Sequence, residues 1–298
     1  MAALRARAYL LAEIRSFLTT RGVMAVETPL LCPHTVTDPH IHSLSVPSHG
    51  FLQTSPEYAM KRLLAAGSGP IYQLCKAFRA EESGTLHHHE FSLLEWYEPG
   101  LTHLDLMAAI STCLTTVANL PPAVTHTYAE IFSRYCKIDV FSASIDTLRD
   151  KITQVNNPNA LGRDDCLSLL FATHIEPHLG HDAPCFITNY PASQAALARL
   201  CPQDPRVAER FELFINGTEI GNGFHELTDP EEQHRRFTQD NADRVARGLP
   251  EIKIDNQLIA ALTAGLPPCA GVAIGLDRLM MAIGEYPSIA AVISFTSP

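Results

Sequence analysis

Apolar residues along the opening segment, "ALRARAYLLAEIRSFLTTRG", recur with the spacing of one helical face. Leu10, Leu11, Ile14, Phe17 and Leu18 fall together, charges fall opposite, and Gly22 marks the stop. "VMAVETPLL" then predicts a short strand ended by Pro29. In "TSPEYAMKRLLAAG" a helix start is written out: Thr54 or Ser55 as N-cap, Pro56 in the first turn, Glu57 completing a capping box with Thr54, and Gly67 at the close. "PIYQLCKAFRAEE" reads as a strand to about Phe78, residues 80–89 as a polar loop, and "EFSLLEWYEP" as the returning antiparallel strand. From about 101 to 182 the period is mostly helical, clearest in "THLDLMAAISTCLTTVANL" and "DDCLSLLFATHIEPHLG", with "VNNPNALGRD" as a turn between them. Strand-like alternation returns in "PCFITNYP" and "ERFELFINGTEIGNGFHEL"; a helix in "DNQLIAALTAGLPPC" and a glycine-rich strand entering a helix in "GVAIGLDRLMMAIGE" complete the chain. Regular βαβ alternation is missing. The order predicts an α+β fold, an antiparallel sheet flanked by helices with a helical insert.

The 298 residues are 46% hydrophobic and carry a net charge of −10, which argues against a general polyanion binder. No apolar run of membrane length and no secretory leader is present, and eight cysteines are scattered without a C-x-x-C pair. That usage points to reduced thiols in a cytoplasmic protein without a membrane partner. The run His87, His88, His89 invites a metal reading. Successive side chains on a regular element point in different directions, however, and zinc motifs usually space their ligands by two to five residues.

Three stretches stand in order along the chain: "RGVMAVETPLL", "FRAEESGTLHHHEFSLLEWY" and "GVAIGLDRL". Together they resemble motifs 1, 2 and 3 of the class II aminoacyl-tRNA synthetases. "RFELFINGTEIGNGFHEL" is similar to strings of the lysyl branch. "LQTSPEYAMKRLL", "PASQAALA", "NGFHELTDPEEQ" and "PPCAGVAIGLDRL" resemble the elongation factor P β-lysine ligases, a stand-alone relative of lysyl-tRNA synthetase. The likeness spans essentially the whole chain and implies one catalytic domain over 1–298, the helical insert included.

The resemblance implies ATP and Mg²⁺ as cofactors and assigns roles. Activating a carboxylate with ATP builds negative charge on the α-phosphate, so fixed cations are the main lever. Arg79 is implied at the α-phosphate and Arg278 over the adenine and at the γ-phosphate; both are the expected catalytic groups. Ala80, Glu81, His87, His88, Phe91 and Ile220 join them at the nucleotide, Glu81 accepting from the adenine amine and Phe91 stacking on the base. His88 and His89 stand where the family carries asparagine and proline. Gly275 either lets backbone approach the nucleotide or serves helix-entry packing. Glu219 and Glu226 are implied as Mg²⁺ ligands, since hard oxygen donors suit that ion. Seven residues apart, they share a strand face only if a bulge at "GNG" shifts the register by one. Ser55, Pro56, Glu57, Tyr97, Asn222, Glu226 and Ala273 are implied at the substrate, though Ser55 and Glu57 are also explained by the helix start. Lys61 and Arg62 are expected to face solvent.

About 20 residues precede the first motif and the chain ends just after the third, leaving no room for an anticodon-binding module of roughly 100 residues. Ala273 replaces a glycine of the lysyl motif. An added methyl at a tight wall costs about 1–3 kcal/mol and disfavours α-lysine. The expected function is adenylation of (R)-β-lysine and its transfer to a lysine ε-amine of elongation factor P by a homodimer that uses no tRNA. The alternatives are a truncated lysyl-type enzyme acting on α-lysine, or a non-catalytic regulatory subunit.

Overall fold

The computed structural model describes residues 1–81, 83–155 and 157–296. The chain separates into two compact units, residues 1–102 with 226–298, and residues 103–225.

The first unit opens with α1 (Ala2–Thr20), β1 (Met24–Ala25), β2 (Leu31–Cys32), β3 (Ser45–Val46), β4 (Gly50–Leu52), α2 (Glu57–Ala65), β5 (Ile71–Phe78) and β6 (Glu90–Pro99). No side chain caps the start of α1, but Leu10, Ile14 and Leu18 are buried. Burying three such side chains contributes on the order of 5–8 kcal/mol, well above the ~1 kcal/mol of a missing cap. β5 pairs antiparallel with β6 from Ile71↔Tyr97 to Phe78↔Glu90. The predicted strand after α1 keeps only two residues beside β5, and it pairs in parallel. Leu31 and Cys32, beyond Pro29, leave for a separate sheet of order β2-β4-β3. The helix start at α2 also differs from the expected box: Ser55 Oγ accepts the Glu57 N–H at 3.0 Å, and the Glu57 carboxylate is directed elsewhere.

The second unit holds α3 (His103–Ala118), β7 (Val124–Thr127), α4 (Tyr128–Ile131), α5 (Ile145–Arg149), α6 (Arg163–His174), β8 (Cys185–Pro191), β9 (Val207–Ile215) and β10 (Thr218–His225). β9 pairs antiparallel with β8 and β10, and β7 lies parallel to β8. Asn216 and Gly217, both with positive φ, make the two-residue turn between β9 and β10. Tyr128 stacks on Phe132 at 4.6 Å and tilts against Tyr190 at 4.8 Å, while Phe171 meets Phe214 at 5.5 Å. These rings fill the core on which the helices rest.

The chain then returns to the first unit with α7 (Pro230–Ala246), α8 (Asn256–Gly265), β11 (Cys269–Gly275) and α9 (Leu276–Gly284). β11 pairs antiparallel with β6 from Cys269↔Pro99 to Gly275↔Leu93. Alternation divides β5, β6 and β11 into two faces. One carries Leu94, Trp96, Ala270, Val272 and Ile274, all buried. α1 meets this face: Phe17 is edge-on to Trp96 at 6.3 Å, and Arg21 stands 5.6 Å above the same ring while pairing with Glu98 at 2.5 Å. Arg7 donates to Asp277 at 2.5 Å and to Ser92 Oγ at 2.7 Å, and Asp277 accepts the Ser92 N–H at 2.7 Å. The other face presents Gln73, Cys75, Leu93, Glu95 and Tyr97 beside Gly271, Ala273 and Gly275.

Candidate active site

Strand register aligns the functional side chains. Glu95 and Tyr97, two apart on β6, point the same way; their partners on β11 are Ala273 and Gly271. Opposite Tyr97, therefore, β11 has no side chain. A Cβ at Gly271 would lie 2.2 Å from Tyr97 Cε1 and 2.5 Å from Glu226 Oε1. Here glycine is required by space.

Tyr97 donates to Glu95 Oε2 at 2.6 Å, and Ser55 Oγ donates to Glu95 Oε1. From α2, Lys61 reaches across. Its Nζ is 2.6 Å from Glu57 Oε1 and 2.6 Å from Glu226 Oε2, and the side chain is 2% exposed. The expectation that Lys61 faces solvent is overturned. Residue 61 lies one turn after Glu57 on the buried edge of the helix, where Met60 and Leu64 also lie. Glu226 is buried, and its Oε1 has no hydrogen-bond partner among the described residues.

Burial raises the Glu95 carboxyl to about 7, reinforced by the Glu57 charge and opposed by the Ser55 and Tyr97 hydrogen bonds. Burial likewise raises Glu226 to about 8, with Lys61 pulling it down and Glu57 pushing it up. Burial by itself would lower the Lys61 ammonium, yet Glu226 and Glu57 hold it above its ordinary value. The cluster thus gathers Glu57, Glu95 and Glu226 around one resident cation. A buried charge stripped of its partner costs several kcal/mol, so such a group favours a second cation.

The nucleotide candidates lie farther along the same strands. Arg79 extends the β5–β6 ladder, its N–H donating to His89 O at 2.9 Å, and its guanidinium lies 5.1 Å above the Phe91 ring. The Ala80 N–H goes to His42 O at 2.7 Å. Glu81 extends into solvent and lies 3.5 Å from His42 Nε2. Arg79, Glu81 and His42 line a cavity of about 360 Å³ together with Pro39, His40, Arg247 and Leu249. Residues 37–38 are fastened to α7 by Thr37 donating to Asp240 at 2.6 Å and Arg244 donating to Asp38 O at 3.2 Å. His87 accepts the Gly84 N–H through its carbonyl, and His88 turns its ring onto the Glu90 backbone. Pro56 precedes α2, and Arg278 is half-buried in the first turn of α9. Gly275 has φ −73°, so its backbone needs no left-handed freedom.

Glu219, Ile220 and Asn222 belong to the second unit. The register of β10 shifts between Glu219 and Gly221, so the bulged residue is Ile220, just before the expected "GNG". The shift puts Glu219 on the face of Glu212 and Asn222. Asn222 accepts from Arg210 Nε at 3.2 Å; Arg210 pairs with Glu212 at 2.5 Å and lies 4.5 Å above the Tyr190 ring. Burial raises the Glu212 carboxyl, Arg210 opposes this, and Glu219 adds to it. Glu95, Lys61, Gly271, Arg210 and Glu212 are absent from the sequence-derived site. The i, i+2 spacing of Glu95 and Tyr97 on one strand was the available signal for Glu95.

A second titratable cluster, also in that unit, groups His103, Glu209 and His225. Glu209 Oε2 is 2.8 Å from His225 Nδ1 and 2.6 Å from Arg199 Nε, so the guanidinium supplies its countercharge. Burial lowers His103 to about 4 and lowers His225 too.

Comparison with known proteins gives the family. The family model of class II tRNA synthetases (D, K and N) matches residues 1–297. The chain is 48% identical to the elongation factor P–(R)-β-lysine ligase of Klebsiella pneumoniae strain MGH 78578, over 97% of this chain and 93% of that one. Proteins of the same name from Salmonella dublin and Salmonella enteritidis match with the same identity and coverage. An α+β architecture and near-full-length matches converge on one conclusion: the chain belongs to the class II tRNA synthetase family, among the elongation factor P–(R)-β-lysine ligases.

Proposed function

We propose that this protein is an ATP-dependent ligase that adenylates (R)-β-lysine and transfers the β-lysyl group to a lysine ε-amine of elongation factor P. The observation that carries the reading is the charge count around Tyr97. Three carboxylates, Glu57, Glu95 and Glu226, oppose one ammonium, Lys61. A diamino acid, with two ammonium groups, supplies the missing positive charge.

In the first step a substrate carboxylate oxygen attacks the ATP α-phosphorus and pyrophosphate leaves. Arg79 offsets the charge that accumulates on the α-phosphate, and Arg278 holds the base and terminal phosphate. Glu81, Phe91, His87 and His88, with the backbone of Ala80 and Ile220, complete the nucleotide contacts. Ser55 and Tyr97 orient Glu95, while Asn222, buttressed by Arg210, is suited to the substrate carboxylate. In the second step the acceptor ε-amine attacks the acyl carbon, AMP departs with the electron pair of the broken bond, and the amine loses a proton.

The two acids expected at Mg²⁺ differ in fit. Glu226 is sealed against an organic ammonium and suits the substrate amine. Glu219, on a strand face with Glu212, keeps the oxygen-donor chemistry of a hard dication. When bound, Mg²⁺ would neutralise phosphate charge.

Exposed Leu4, Tyr9, Met24, Leu30 and Leu31 on and after α1 support a homodimer through this region. Eight free cysteines support a cytoplasmic setting, and no described helix is long and apolar enough to cross a membrane. The test is mass spectrometry of elongation factor P after incubation with enzyme, MgATP and either (R)-β-lysine or α-lysine, with tRNA as competing acceptor. Addition of one lysyl mass, favoured by (R)-β-lysine and absent from tRNA, is expected. Charging of tRNA, or no addition at all, overturns the proposal.

A further inference from the structure

The buried position of Lys61 leads beyond substrate assignment. We infer that Lys61 is a positioning residue, an internal counter-ion that bridges Glu57 and Glu226 and aims the unpartnered Glu226 Oε1 at the substrate ammonium. The inference rests on the proposed diamino-acid reaction.

Three observations carry it. Lys61 Nζ contacts one oxygen of each acid at 2.6 Å, Glu57 Oε1 and Glu226 Oε2. The remaining oxygen of Glu226 is buried, lacks a hydrogen-bond partner among the described residues, and lies against Gly271, where β11 has no side chain. The groups facing the ammonium come from separate elements: Glu57 from α2, Glu226 from the segment after β10, and Glu95 with Tyr97 from β6. Cys269 on β11 feels the charges of Glu226 and Lys61 as well. A flexible acid in this position could turn either oxygen inward. With one oxygen fixed by Lys61, the free one has a defined place.

The physical consequence concerns protonation. Glu57, Glu95 and Glu226 share a small, dry volume, and like charges at such spacing push protons onto the group. Without the lysine, Glu226, already raised to about 8, would hold its proton to still higher pH and present a neutral acid to a cationic substrate. Lys61 therefore acts on the affinity for the diamino acid and leaves the phosphoryl chemistry at Arg79 alone.

The experiment is steady-state pyrophosphate exchange with Lys61→Ala, varying the diamino acid and ATP separately, with and without methylammonium. A rise of tenfold or more in KM for the diamino acid is expected, with KM for ATP within twofold of wild type. The KM–pH profile should move to higher pH, and methylammonium should restore much of the loss by occupying the vacated space. Equal effects on both KM values, or no rescue from a folded variant, overturn the inference. Where Lys61→Ala does not accumulate folded, the pair Lys61→Met with Glu57→Gln removes one charge of each sign; an unaltered diamino-acid KM–pH profile there overturns it equally. Inactive wild type would sink the parent proposal, whereas active wild type beside an indifferent Lys61 variant sinks only this one.

Discussion

The α-carbon of Gly271 is set so close to Tyr97 that a Cβ would come within 2.2 Å of the ring. Neither partner can retreat easily, because the Tyr97 hydroxyl is fixed on Glu95 and the strands are paired on both sides of the ring. Gly271→Ala is thus expected to displace the ring and the Glu226 carboxylate together. Overpacking of this kind costs about 1–3 kcal/mol of stability. Thermal unfolding should show that loss, and diamino-acid activation should fall by more than ATP binding does.

Ala273 pairs with Glu95 across β6 and β11, which places its methyl beside the buried acid cluster. Ala273→Gly is expected to widen that point and improve α-lysine relative to (R)-β-lysine. With about 1–3 kcal/mol per methyl, the ratio of kcat/KM values should shift roughly tenfold to a hundredfold. An unchanged ratio in competition assays would leave discrimination to other residues.

The raised carboxyls of Glu95 and Glu226 fix a sign for the pH response. Their folded values, about 7 and about 8, lie above the ordinary carboxylate range. The folded state therefore holds protons that the unfolded chain has released. The stabilisation is complete below the ordinary range and is lost as pH rises through about 7 to about 8. Substrate binding should run the other way, tightening as these acids ionise. Melting curves across that window, with and without the diamino acid, are expected to converge at low pH and separate at high pH.

His103 gives the opposite slope. Burial holds it neutral down to about 4, below the ordinary imidazole value. Its contribution is present above that ordinary value and lost as pH falls toward about 4. His103→Asn should flatten the acid limb of the stability profile, with catalysis at neutral pH little changed.

Arg79→Ala should lower adenylation by about 10²–10³-fold, the size of effect seen when one preorganised group at a developing charge is removed. Pyrophosphate exchange measures it directly, and the stability of the variant should be close to wild type.

Much of this was legible in the sequence because period and punctuation agree. β6 alternates as "EFSLLEWYEP" does, and α1, α3 and α8 follow their apolar stripes. Where polar chemistry replaces apolar burial, the pattern misleads. Lys61 reads as a surface charge because its burial depends on the carboxylate of Glu226, far along the chain, together with Glu57 one turn back. α7 was missed because its buried side chains, Gln233, Phe237 and Arg244, include only one apolar residue; Asp229 and Pro230 were the start signals that stood in plain view. β7, four residues with two exposed, owes its existence to β8 beside it. Arg79, Glu81 and Phe91 came from motif likeness, and their shared strand end follows from the β5–β6 register. Glu95 required that register to be known.

Asp277 binds Arg7 with one oxygen and the Ser92 amide with the other, and the next residue in the chain is Arg278. The first helix is consequently a lever whose fulcrum is one peptide unit from Arg278, the arginine proposed for the nucleotide. Strain applied near Arg7, as by a neighbouring subunit leaning on exposed Leu4 and Tyr9, would be transmitted to the mouth of α9 without passing through solvent or a flexible loop.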